Sequence, residues 1–226
     1  LTVNERAVDE FFYYKFISQR QTIFDQVNKL HPGHRVTFDG CTEKHERYWQ
    51  PDYTRKQVRT LDEWLEGIDH HLRVAVRRRL VSDVPLGGFL SGGVDSSCIC
   101  ALMAAESKTR PRTFTVGFSN SPRFDERRYS RLVAHHIQSE HTELVAEAEI
   151  APLLSDIVWN YGEPFGDSSM LPTYLIAREA RKHVTVALSG DGGDENMGGY
   201  RRYRFHMMEE KMRSGLPHAV RKPVFG

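Results

Sequence analysis

A twisted parallel sheet with helices on both faces, an α/β fold, is predicted by three features of the sequence. From about residue 84 onward, short apolar runs rich in β-branched and aromatic residues alternate with helix-length segments. The intervening lengths suit right-handed crossovers between parallel strands. Two glycine-rich segments, LSGGVDSS at Leu90 to Ser97 and LSGDGGDENMGGY at Leu188 to Tyr200, each follow directly on an apolar run. Open α/β sheets bind ligands beyond the carboxyl ends of their strands, and both segments belong there.

The elements follow in chain order. A helix-like apolar segment around Val8 to Ile17 leads to Ile23 to Leu30, the turn His31-Pro32-Gly33, a strand at His34 to Phe38 and the hairpin signal Asp39-Gly40. These pieces are too few to bury a core alone. Composition shifts near Pro51-Asp52, which divides the chain into residues 1–52 and 53–226. Thr60-Leu61-Asp62-Glu63 reads as a capping box, and Leu61, Trp64, Leu65, Ile68, Leu72, Val76 and Leu80 keep helical spacing as a core-facing stripe. A buried strand ends at Leu90, and Ser97 to Ala105 forms an apolar helix. A strand at Thr113 to Phe118 precedes a helix from Asp125 to Ser139 carrying Tyr129, Leu132, Val133, His136 and Ile137 on one face. A strand at Thr142 to Val145, helices at Ile150 to Asn160 and Leu171 to Lys182, and a last strand at Val184 to Leu188 complete the pattern.

The chemistry concentrates in the two glycine-rich segments. Glycine lets the backbone approach an anion, and the free amides of a new helix point at it with the positive dipole end behind them. Ser91, Ser96 and Ser97 add hydroxyl donors around Gly92 and Gly93. A carboxylate beside phosphates repels them unless a divalent cation intervenes, so Asp95 reads as a magnesium ligand; the plainer reading is a turn whose helix Asp95 caps. No lysine follows these glycines as the Walker pattern requires, so the loop need not serve γ-phosphate transfer. The second segment repeats Ser-Gly and adds Asp191, Asp194 and Glu195, so the two loops could face one polyphosphate from opposite sides.

Composition sets bounds. The 226 residues carry a formal net charge of +1, so no global basic field favours nucleic acid. Cys41, Cys98 and Cys100 form an odd set without metal-ligand spacing, which suits a reducing cytoplasm. No apolar run reaches the roughly 18 residues of a membrane span. The pairs His70-His71 and His135-His136 lack further ligands at metal spacing, and Arg77-Arg78-Arg79 reads as a solvated face.

On SGGVDSS, TFTVGF at Thr113, EPFGDSSMLPTYL at Glu163 and LSGDGGDENMGGY, the chain resembles the synthetase domain of glutamine-dependent asparagine synthetases. These lie within the N-type ATP pyrophosphatases, an adenine nucleotide alpha hydrolase-like fold. LHPGHRVTFDG at Leu30 and RYW at Arg47 resemble the end of that family's glutaminase domain, an Ntn-type fold. The resemblance implies ATP and Mg2+ as cofactors. It also implies an acyl-AMP formed from aspartate with release of pyrophosphate, and its amination by ammonia drawn from glutamine. By resemblance Leu90 and Val116 line the adenine and ribose pocket, Ser91 to Ser97 hold pyrophosphate, and Ser189 and Gly190 contact the nucleotide. Asp95 and Asp194 hold the metal, and Asp191 stands where an acid takes part in forming and using the adenylate. The expected partners are small molecules, with a homodimer as the assembly and no membrane.

Several positions depart from the family. Many members have glutamate where Asp191 stands, and leucine and phenylalanine where Asn196-Met197 occur. Residue 1 is leucine rather than the glutaminase cysteine, and a phosphate-contacting lysine of the family falls after the segments present here. The resemblance thus implies a piece of a longer protein, cut inside both domains. Glu163 and Asp167 are open between capping the following helix and lining a substrate pocket. Other functions remain open beside the first: a β-lactam synthetase-like or polysaccharide-pathway amidotransferase, a nucleotide-binding module without turnover, and an RNA-modifying enzyme on the same fold.

Overall fold

The computed structural model describes residues 1–18, 20–118, 125–146, 150–216 and 221. Two compact units divide the chain, one of residues 1–68 with 146–178 and one of residues 69–145 with 179–226.

In the first unit, α1 (Glu5–Tyr14) begins where the Asn4 carboxamide accepts hydrogen bonds from the Arg6 and Ala7 amides, and stops at Lys15, whose φ of 66° is left-handed. The helix therefore starts earlier than Val8. Ile23 to Leu30 form no helix: Phe24 bridges to Val3, and the Thr22 hydroxyl bonds the Phe24 and Val27 carbonyls. Such side-chain bonding to nearby backbone competes with helix formation. β1 (His34–Phe38) pairs antiparallel with β2 (Glu43–Arg47), turning on Asp39, whose carboxylate takes the Cys41 and Thr42 amides. The capping box opens α2 (Leu61–Arg79), with the Thr60 amide donating to Glu63 Oε2 at 2.7 Å. α5 (Ile150–Tyr161) and the start of α6 (Met170–Ala180) complete this unit.

The second unit is a parallel sheet flanked by helices. Its four strands stand in the order β5 (Glu140–Ala146), β4 (Arg112–Phe118), β3 (Leu86–Phe89), β6 (Val186–Leu188). β3 pairs parallel with both β4 and β6. α3 (Val94–Glu106) packs Ile99, Leu102 and Met103 against Leu86, Leu188 and the Leu72-Val76-Leu80 ridge of α2. On a second side, Cys100 joins Leu90 and Ala134 of α4 (Arg127–His136). α7 (Gly193–Met197) and α8 (Arg201–Ser214) follow β6.

Two predicted faces need correction. The α2 stripe is core-facing only in its second half, since Leu61 is 72% and Leu65 55% exposed while Val76 is buried. On α4 the face is rotated: Tyr129 and Leu132 are exposed, while Ser130 and Ala134 are buried beside Val133 and Ile137. Small residues let that helix approach the sheet end closely, an option that hydrophobicity alone does not weigh. No helix among the described residues is long and apolar enough to cross a membrane.

Candidate functional site

The first glycine-rich loop joins β3 to α3. Leu90 is fully buried, its amide donating to the Phe114 carbonyl at 2.8 Å, so the loop leaves the sheet at a fixed point. Beyond it the Ser91 and Ser96 hydroxyls lie 2.9 Å apart, the Ser91 amide donates to Ser96 Oγ, and the Gly93 amide donates to Ser91 Oγ. These bonds close the loop on itself. Gly93 caps α3 in extended conformation without a side-chain bond, so Asp95 does not cap this helix. Ser97 donates its amide to Gly93 at 3.0 Å, leaving the Val94, Asp95 and Ser96 amides of the first turn without a partner among the described residues. The Ser97 hydroxyl is buried and has no hydrogen-bond partner among the described residues, so it does not open onto the loop as the motif leads one to expect.

The second loop rests directly on the first. A Cβ built on Gly190 would stand 2.6 Å from the Ser96 amide nitrogen and 2.8 Å from the Asp95 carbonyl carbon. One built on Gly193 would stand 2.5 Å from the Asp95 carboxylate carbon. Any side chain at either position collides with backbone or with the carboxylate. Within this loop the Ser189 hydroxyl donates to Asp191 Oδ2 at 3.0 Å and accepts the Asp191 amide. Neither α7, whose N-cap is Gly192, nor α8, whose N-cap is Tyr200, has a side-chain cap, so the three acids are not spent on capping. The Tyr200 hydroxyl instead donates to Glu195 at 2.6 Å, which lowers that carboxyl and pushes the phenol up to about 12.

Val116 stands on β4 two residues beyond Phe114, the strand partner of Leu90's amide, which places it at the same strand end. The structure thus brings together Leu90 to Ser96, Val116 and Ser189 to Asp194 in one unit. Asp194 follows Gly193, the residue on which the Asp95 carboxylate rests. No group of three or more His, Cys, Asp or Glu among the described residues is placed to cage a metal. The Asp95 carboxylate lies against Gly193 and that of Asp194 against Gly199; magnesium needs only one or two protein carboxylates and completes its shell with other oxygens, so either acid has the chemistry of a ligand.

Glu163 and Asp167 lie in the other unit. Glu163 pairs with Lys29, and Asp167 accepts the Ser169 amide at 2.8 Å in a turn just ahead of α6. Reading the sequence missed the wall of the first loop: Gly92 has a φ of +85°, and a Cβ there would meet Tyr129 Cβ at 2.5 Å and the Ser130 amide at 2.7 Å. It also missed Arg127, which lies across Gly117 and bonds Asp125. A glycine inside a strand was the available signal, since it marks close approach of another group.

Fold and loops together define an α/β protein in which two glycine-rich strand-end loops carrying Ser-Gly and carboxylates are pressed together. The sequence model of the asparagine synthase family matches residues 67–225, and the chain belongs to that family. It is 38% identical over 205 residues to a Methanocaldococcus jannaschii protein provisionally named glutamine-hydrolyzing asparagine synthetase 2, covering 88% of this chain and 39% of that one. Glutamine-hydrolyzing asparagine synthetase 1 of Bacillus subtilis is 34% identical over 208 residues, 90% of this chain and 32% of its own length. Amidase chyE of Penicillium rubens is 28% identical over 211 residues, 85% of this chain and 31% of its own. The chain therefore spans about a third to two fifths of these relatives. An NH3-dependent NAD synthetase from Campylobacter jejuni superposes over 60% of each chain at 12% identity, with a TM-score of 0.41.

Proposed function

We propose that the chain is the adenylating part of a glutamine-dependent amide-forming ligase, with residues 1–52 belonging to the glutaminase-type domain and 53–226 to the synthetase domain. In this reading the side-chain carboxylate of L-aspartate attacks the α-phosphorus of ATP. The bond to the bridging oxygen breaks, pyrophosphate leaves and acyl-AMP forms. Ammonia then adds to the acyl carbon, loses a proton and expels AMP, giving the amide.

The observation that carries this reading is the seating of Gly190 and Gly193 on Asp95 and Ser96. It sets the second loop against the first turn of α3, and donors fixed in place there would lower the barrier for a group whose charge grows on leaving. Leu90 and Val116 would hold adenosine, and Ser91, Gly92, Gly93 and Ser96 the phosphates. Ser97 would act by packing the first turn of α3, and Ser189 and Gly190 would contact the nucleotide. Magnesium, held by Asp95 and Asp194, would offset phosphate charge. Asp191, oriented by the Ser189 hydroxyl, would accept the proton from the incoming ammonia.

Amidase chyE, at 28% identity, is named for a different activity from the synthetases, so the acid that is activated needs its own test. Exchange of labelled pyrophosphate into ATP, run with a panel of carboxylic acids, supplies it. Exchange with aspartate is expected; exchange with another acid alone transfers the reading to a related amidotransferase or a β-lactam synthetase-like enzyme. ATP binding without exchange for any acid would leave a nucleotide-binding module and remove the ligase.

A further inference from the structure

The strongest unassigned feature near the paired loops is a half-buried ion pair at the end of β4. Arg127 donates Nε to Asp125 Oδ1 at 2.8 Å and Nη2 to Asp125 Oδ2 at 2.6 Å, a bidentate fork. Arg127 side-chain exposure is 21% and that of Asp125 24%, so the pair sits more deeply than the surface pairs of this unit. The fork holds the Asp125 carboxyl down to about 2, so it stays charged across the physiological range. Its place is fixed by Gly117: a Cβ there would lie 2.5 Å from Arg127 Cδ and 2.9 Å from Cζ. One turn further along α4, Tyr129 and Ser130 form the wall against which Gly92 of the first loop is pressed.

Arg127 thus packs on the strand residue next to Val116, and its helix touches the loop of Ser91 to Ser96 two and three residues further on, at Gly92. A guanidinium has five N–H donors. Two are taken by Asp125, and those of Nη1 have no partner among the described residues.

We propose that Arg127 is a nucleotide-binding residue, presenting Nη1 to a phosphate oxygen of the bound nucleotide, and that Asp125 is its positioning residue. This rests on the nucleotide reading above and adds to it a cation that neither glycine-rich loop supplies. Planarity and a fixed fork make arginine the suitable group, since lysine keeps the charge but not the orientation.

Calorimetric titration of the chain with ATP and magnesium, and separately with adenosine, tests the assignment. Arg127→Met weakens ATP about 10- to 100-fold, the size of one charge-assisted hydrogen bond, and changes adenosine by less than about twofold. Arg127→Lys recovers part of the loss. Asp125→Asn weakens ATP less than Arg127→Met does and likewise spares adenosine. Unchanged ATP affinity in Arg127→Met overturns the proposal. Equal losses for ATP and adenosine overturn it too, because they assign the pair to the scaffold. Absence of ATP binding by the unaltered chain would instead bring down the nucleotide reading itself, which separates the two failures.

Discussion

Gly92 meets two demands at once, a left-handed backbone and a wall of α4 closer than any side chain tolerates. Alanine there brings backbone strain and overlap with the Ser130 amide, which cannot swing aside as a flexible side chain can. Gly92→Ala should destabilise the chain by about 2 kcal/mol or more, seen as a lower urea midpoint, and should abolish ATP binding. Asp191 makes a different demand, because its shape can be kept while its charge is removed. Asp191→Asn should leave the melting temperature near that of the parent and lower amide synthesis about 10²- to 10⁴-fold, the usual worth of a positioned acid or base. Unchanged synthesis would reassign Asp191 to loop structure, where its bond to Ser189 already gives it a place.

At the scale of the element, α3 carries two cysteines of opposite character. Cys100 is buried and its thiol is pushed up to about 12 by loss of solvation. Cys98 is exposed, and its thiol is raised by partial burial and then by the Asp69 and Asp95 carboxylates. The thiolate is the reactive form, so a raised value means less of it at a given pH. At pH 8 iodoacetamide should label Cys41 first, Cys98 more slowly and Cys100 only after unfolding, as peptide mapping would reveal. Labelling of Cys100 in the folded chain would mean that the α3 to α4 contact opens.

The start of α2 offers a second test at this scale. Thr60→Ala removes an N-cap and should cost about 0.5–2 kcal/mol, measurable by denaturant unfolding. Glu63 in the same box has its carboxyl lowered, first by the Thr60 amide and then by its hydroxyl. A lowered carboxyl contributes stability above its unfolded pKa and loses it as pH falls through the folded value. The difference between parent and Thr60→Ala should therefore shrink as the solution is acidified through the carboxylate range.

Across the whole molecule, the catalytic groups proposed here all fall in the unit of residues 69–145 and 179–226, far apart along the chain but united by one sheet. Among the described residues, one of its two buried clusters is built on Val76, Leu102 and Met103, the other on Leu90, Cys100 and Ala134. Met103→Ala should cost about 2–5 kcal/mol, the range for a large-to-small change in a packed interior. The side chain also lies where a Cβ on Gly88 would meet its sulfur at 3.0 Å. Loss of Met103 should thus loosen β3 and reduce nucleotide affinity along with stability, read as a lowered midpoint together with weaker ATP binding.

Much of this was legible in the residues themselves. Alternating runs announced the parallel sheet, Ser-Gly pairs after apolar runs announced the strand-end loops, and Thr60 with Glu63 announced a capping box, because these signals are local in sequence. The irregular course of Ile23 to Leu30 and the rotated face of α4 were not legible. Each turns on contacts with residues far away in the chain, a Val3 bridge in one case and the Leu90 to Cys100 contact in the other. Local signals along the chain were enough for the fold class, the family and the position of the two glycine-rich loops. That Gly190 lies on Ser96, that the Ser97 hydroxyl is buried and that Arg127 reaches Gly117 came from the packed fold alone. Steric closeness between distant segments depends on how the sheet and helices pack, and no spacing within one segment encodes it.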